Sequence, residues 1–339
     1  MNRKGLKGLL SSSWGGKLVA LAAIFIIMAI FSRNFFTLGN WKSILLAISI
    51  YGIMACGMLL CVLVGCMDFS VGSTAAFAAA VVAKLYIETG WKPHMFAVGI
   101  IVAMLGCAAL GLLHTLLVVK IKINPFVATL ATKYMMLGLA ILILNQRNSY
   151  VDHKDTVLYA MGNARFLGIP MPTVIFIIVA IVIAIVLNCT VFGRQLYAVG
   201  GNPRATNFLG ISSTAKTCVT FVICSCLAGL AGIILSSMNA MASSGTASGY
   251  EGSVLTAMCV GGVTLTGGAG GVIDAVYGAL LVGIINNAMI LLGVPSEWQT
   301  FVQGVIIVVA IVINEGTRAR AMKTLGAGAD SKKEKKEAA

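Results

Sequence analysis

Two short acidic signatures, Asp68-Phe-Ser-Val71 and Glu251-Gly-Ser-Val254, repeat the order acid-x-Ser-Val, each ahead of a run rich in small residues. A carboxylate there can accept from the unpaired N–H groups of a helix start and meet the positive end of its dipole. It can equally face a polar solute. The amides of Asn239, Asn286 and Asn287 offer the donors and acceptors a polyol needs, although polar glue between helices uses the same groups. Asp152-His-Lys-Asp155 has metal-ligand residue types but sits in a polar loop without further ligands, and reads as solvated. The nine cysteines fall within or at the ends of apolar stretches without zinc-finger spacing, and read as packing residues. No G-x-x-x-x-G-K-[ST] phosphate loop occurs, and no nucleophile–base pair or metal constellation lies in the apolar runs. The reading is therefore no catalytic residue, no metal site and no cofactor held by this chain.

The elements that carry these groups follow from hydropathy. Of the 339 residues, 59% are hydrophobic and 10% charged, with mean hydropathy +0.97. A soluble domain carries roughly 25% charge, so lipid is the solvent for most of this chain. The runs between breakers are Lys17–Phe31, Ser43–Cys66, Val71–Ile87, Met95–Val119, Pro125–Leu144, Met171–Phe192, Thr214–Met238, Tyr250–Leu265, Val272–Leu292 and Trp298–Ile313. Backbone groups in lipid must pair internally, and these runs are too long for membrane strands. The expectation is an all-α polytopic membrane protein of about ten transmembrane helices. Its parts are a tail (1–16), a transmembrane domain (17–314) and a charged, disordered tail (315–339). The first apolar run lacks a small-x-small cleavage site, so it reads as a retained helix.

The net charge of +13 reports topology, not nucleic-acid binding. An even count puts both termini on one side. That side holds sixteen of the 24 Lys and Arg against six opposite, which makes it cytoplasmic. Lys133 lies inside a span. The large apolar residues of that span favour insertion by about 3–5 kcal/mol and one central lysine costs about 2.5–3.5. Lys133 should therefore face protein or water, in an ion pair or along a path, and Lys133→Leu is expected to insert more easily. The two acid-x-Ser-Val copies, on opposite sides by this count, suggest an inverted internal repeat. Pairing Val64-Gly65 with Val260-Gly261 would instead give parallel repeats. We prefer the first pairing.

The segment Gly193–Ile211 lies on the terminal side. Asn202 suits an N-cap, Pro203 the first helical position, and Gly210 a left-handed helix end. The short helix between them puts Ala205, Phe208 and Leu209 on one face. Such a self-capped helix suits docking into a groove on a soluble partner, or lying on lipid. Asn207, opposite that face, is expected to tolerate Ala.

With Gly200, Gly201 and Asn202, this segment resembles the coupling helix of the ribose-type sugar ABC transporter permeases, with its pattern A-x-G-G-N-x-x-A…G-I. Gly65-Cys-Met-Asp-Phe-Ser-Val-Gly-Ser73 resembles that family's G-x-x-D-L-S-V-G-S, and Asn124-Pro-Phe-Val-Ala-Thr-Leu130 its P-P-F-I-A-T-L. Gly249-Tyr-Glu251, Gly261-Gly-Val-Thr-Leu-Thr-Gly-Gly268, Gly283-Ile-Ile-Asn-Asn287 and Leu292-Gly-Val294 continue the match in order. Cys66, Phe69, Val263 and Lys133 depart from it. The resemblance implies a homodimeric permease working with a cytoplasmic ATPase, which holds ATP and Mg, and an extracytoplasmic sugar-binding protein. It further implies coupling through Gly200, Gly201, Asn202, Pro203, Ala205, Phe208, Leu209 and Gly210. Asp68, Lys133, Asn239, Glu251, Asn286 and Asn287 are the candidates for the solute path. Rival readings are a nucleoside or branched-chain amino acid permease, or an ion-coupled secondary transporter.

Overall fold

The computed structural model describes residues 13–150, 156–309 and 311–312. The charged tail from 315, most of the 1–16 tail and the Asp152–Asp155 cluster lie outside these residues. The helices run in order α1 (Ser13–Phe31), α2 (Leu38–Leu63), α3 (Val71–Glu88), α4 (Pro93–Thr115, extended by a π turn to Lys120), α5 (Pro125–Ile143), α6 (Val157–Asn163) and α7 (Met171–Cys189). They continue with α8 (Val191–Gly201), α9 (Pro203–Phe208), α10 (Ser213–Met238), α11 (Tyr250–Gly261) and α12 (Val272–Leu291). A last helix covers 296–309.

Local signals set the boundaries. Thr37 caps α2 by accepting from Asn40 N–H, Asn124 caps α5 by accepting from Phe126 N–H at 2.9 Å, and Ser212 caps α10 by accepting from Ala215 N–H. Pro93 and Pro125 occupy first-turn positions that lack an intrahelical N–H bond anyway.

Among the described residues, seven helices, α2, α3, α4 with its π turn, α5, α7, α10 and α12, are long and apolar enough to cross a bilayer. The Tyr250–Leu265 run does not give an eighth full-length one. Glycine stops α11 after twelve residues, at a C-cap where Gly262 has φ +88°. Twelve residues rise about 18 Å, short of the roughly 30 Å hydrocarbon core. Two two-residue antiparallel β pairs add to the all-α reading: β1 (Ser149–Tyr150) with β4 (Met241–Ala242), and β2 (Arg165–Phe166) with β3 (Ile169–Pro170).

The centre of the bundle is α2, buried continuously from Ile48 to Leu63, and α10, which packs on α2, α3 and α4. Lipid gives helices no hydrophobic reason to associate, so close packing must hold them. Glycine permits it. A Cβ at Gly232 of α10 would run into the Ala75 carbonyl of α3, and one at Gly278 of α12 into the Ala257 carbonyl of α11. The outward faces of α4 (Ile101, Leu105, Leu112) and α7 (Ile178, Ile181, Ile185) stay exposed, as a lipid-facing surface requires.

Candidate functional site

The sequence pointed to two regions, and the structure builds both. At one end of the bundle Thr190 breaks the expected Met171–Phe192 run. Its hydroxyl donates to Val186 O at 2.6 Å and accepts from Gly193 N–H, so α7 ends and α8 begins. The expected single loop is thus two helices, α8 and α9. Asn202 Oδ1 accepts from Ala205 N–H at 3.0 Å, Pro203 opens α9, and Gly210 closes it with φ +79°. Thr206 is the buried residue, its hydroxyl within 3.0 Å of Ala198 O and 2.7 Å of Asn202 O. Ala205 is exposed, and Phe208 and Leu209 are 92% and 79% exposed. Two large apolar side chains project from a rigidly capped turn. Asn207 is not idle, as expected from its place on the helix, because its Oδ1 accepts from Ser213 N–H at 2.9 Å and ties α9 to α10.

Behind α9, three stretches of backbone meet almost without side chains. Gly268 N–H donates to Leu63 O at 2.9 Å. A Cβ on Gly200 would land on that carbonyl and on Gly268 N, while one on Gly201 would meet nothing within 4 Å. Tyr197 donates its hydroxyl proton to Gly270 O at 2.8 Å. Burial, then the Asp274 charge, raises the Tyr197 phenol above its ordinary value, which keeps it a donor. Asp274 in turn accepts from Gly271 N–H at 2.9 Å and pairs with Lys17 of α1 at 2.5 Å. Gly200→Ala is therefore expected to destabilise the folded protein by about 1–3 kcal/mol through overpacking. Gly201→Ala should leave it unchanged. Thermal midpoints of the two variants in detergent check this.

The second region lies where α3 and α11 begin. Lys133 Nζ of α5 pairs with Glu251 Oε1 of α11 at 2.5 Å, the side chains 28% and 12% exposed. Gly72 makes room, since a Cβ there would strike Glu251 Oε2. Tyr250 lies 4.9 Å, ring to ring, from Tyr51. Tyr51 takes a hydrogen bond from Asn286 Nδ2 at 3.1 Å, and Asn286 Oδ1 accepts from Gln303 Nε2 at 3.1 Å. Asn287 Nδ2 donates to Asn40 Oδ1 at 2.8 Å, and exposed Asn239 caps the end of α10. Asp68 has no exposed surface. Its Oδ1 accepts from Ser70 N–H at 2.8 Å and Ser70 Oγ at 2.6 Å. Of the six path candidates the structure thus brings Lys133 and Glu251 together. Asp68, Asn286 and Asn287 lie in hydrogen bonds between or within elements, and Asn239 stands apart. Reading the sequence missed His114, Tyr51, Tyr250 and Gln303. The histidine is one of three in the chain, and its place inside an apolar run was the available signal. Among the described residues no group of three His, Cys, Asp or Glu could hold a metal.

The family model described as the branched-chain amino acid transport system / permease component matches residues 40–311. The chain belongs to this permease family. The permease is a transport subunit rather than an enzyme, and a multi-pass membrane protein. Its relatives include the L-arabinose transport system permease protein AraH of Escherichia coli K12, 36% identical over 302 residues, covering 88% of this chain and 89% of that one. The ribose import permease protein RbsC of Escherichia coli K12 is 34% identical over 300 residues, covering 88% and 92%. RbsC of Bacillus subtilis is 33% identical over the same length and shares. No solved structure matches the permease.

Proposed function

We propose that this permease is the membrane subunit of an ABC importer for a monosaccharide in the cytoplasmic membrane. It acts as a homodimer with a separate cytoplasmic ATPase, which binds ATP and Mg, and an extracytoplasmic sugar-binding protein. The observation that carries the reading is α9. Its capped, exposed Ala205-Phe208-Leu209 face is what a groove on a soluble ATPase would take, in a chain whose relatives are arabinose and ribose permeases. With α1, α11 plus its flanking loops, and the 296–309 helix, the seven long helices support ten crossings and both termini in the cytoplasm. The inverted pairing of acid-x-Ser-Val draws support from a glycine contact. Gly72, at the start of α3, lies against Glu251 at the start of α11, so the two helix starts meet.

The inferred path passes Lys133 and Glu251, where partly exposed charges and the Tyr250 ring suit a polyol. The same pair offers both charges to a zwitterion, which favours a branched-chain amino acid as the second reading. Vesicles carrying the whole system decide among these and an ion-coupled transporter. Uptake that needs ATP and the binding protein, with no response to an ion gradient, is the expected result. Thermal-shift screening of the binding protein against sugars, nucleosides and amino acids then names the solute. Uptake driven by a gradient alone would overturn the importer reading.

A further inference from the structure

One buried polar cluster, which includes a residue of the same helix as Lys133, belongs neither to α9 nor to the partly exposed Lys133–Glu251 pair itself. His114 of α4 is wholly buried, as is Asp68. Its Nδ1 lies 3.7 Å from Asp68 Oδ2, longer than a hydrogen bond, and neither atom has a hydrogen-bond partner. Its Nε2 lies 2.7 Å from Thr132 Oγ1 of α5. Around them stand Met58 of α2, whose sulfur accepts from Asp68 N–H at 3.4 Å, and Phe221 of α10, ring to ring with His114 at 5.2 Å. The other titratable groups facing the cluster are the thiols of Cys61 on α2 and Cys224 on α10.

Hydrogen bookkeeping selects one arrangement. If Nε2 carried the imidazole proton and gave it to Thr132, the bare Nδ1 lone pair would face carboxylate lone pairs and two buried atoms would stay unsatisfied, which is costly. With the proton on Nδ1 instead, His114 points its N–H at Asp68 Oδ2, and Thr132 turns its hydroxyl proton from Thr129 O, 3.0 Å away, to Nε2. The two unpaired atoms then face each other as donor and acceptor, within a small shift of a hydrogen bond. The carboxyl group also accepts from Ser70 N–H and Ser70 O–H just ahead of α3, which ties it to the start of that helix.

We propose that Asp68, His114 and Thr132 form a buried positioning relay, His114 as the neutral Nδ1–H tautomer, that fixes the start of α3 and the rotation of α5. Thr132 precedes Lys133 on α5, and Gly72, four residues after Asp68, is the residue against which Glu251 sits. The relay therefore decides whether Lys133 meets Glu251. It requires a hydrogen-bond donor at the Nδ1 position of residue 114, which an asparagine amide can supply and a glutamine, reaching to the Nε2 position, cannot.

The tautomer is read by nitrogen NMR on histidine-labelled permease in nanodiscs, with His114→Asn assigning the signal among three histidines. This reading needs no solute or partner, so it stands apart from the importer proposal. The expected signal is protonated Nδ1 with unprotonated Nε2. In cells carrying the whole system, His114→Leu, His114→Gln and Asp68→Asn should each lose uptake about tenfold at matched membrane abundance. His114→Asn should stay within about twofold of the parent. An Nε2–H tautomer, an imidazolium, or equal uptake by His114→Asn and His114→Leu would overturn the relay.

Discussion

Ala205→Glu is expected to abolish both co-purification of the ATPase and solute uptake while leaving the permease in the membrane at parental abundance. Ala205 is exposed on a turn whose other outward residues are Phe208 and Leu209. A carboxylate there would be buried on docking without a partner, at a cost of several kcal/mol, on the order of 2–7. Nothing in the isolated permease opposes it, because the Asn202 cap, Pro203 and Gly210 hold the turn whatever side chain stands at 205. Thr206, buried one residue on, is unsuitable as a control, and so is Asn207, which accepts from Ser213 N–H. Ile181→Val, on the exposed face of α7, serves instead. Should Ala205→Glu bind the ATPase and transport like the parent, α9 is not the docking element.

The second large effect reverses an expectation drawn from the sequence. Removing the span lysine relieves an insertion cost of about 2.5–3.5 kcal/mol, which alone makes Lys133→Leu stabilising. In the folded bundle the lysine neutralises Glu251, 12% exposed, at 2.5 Å. Taking away one partner strands the other. The loss from breaking a fully buried pair is about 3–5 kcal/mol, and solvent at the partly exposed lysine brings it to about 2 kcal/mol. Lys133→Leu should therefore insert, fold less stably and transport poorly. Lys133→Leu combined with Glu251→Leu should recover the thermal midpoint but not uptake. Parental stability and uptake in the single variant would remove Lys133 from both the structural and the path roles.

What the sequence could disclose follows from the range of each interaction. Caps and prolines act within a few residues, so the starts of α5 at Asn124-Pro125 and of α9 at Asn202-Pro203 were legible to the residue. Helix α8 was not, because Gly193, Gly200 and Gly201 lower helix propensity. The purpose of Gly193 and Gly200, close approach to Leu187, Leu63 and Gly268, exists only in the folded chain. Lys133 announced that it needed a partner, yet the partner lies 118 residues away, and no spacing rule reaches so far. His114 carried the same kind of signal more faintly, since a neutral imidazole costs an apolar helix less than an ammonium does. The half-length of α11 was hidden for another reason. Hydropathy continues through Val263 and Leu265 after the glycines have ended the helix.

The nearly bare Phe208 and Leu209 have a consequence for the life of the subunit before assembly. On the proposed reading, a newly made permease shows the cytosol an oily knob until the ATPase covers it. Unpaired copies should be those that chaperones hold and proteases reach first, so that the number of finished permeases follows the supply of ATPase subunits. The docking turn would thus act as an inspection point for stoichiometry as well as a mechanical contact.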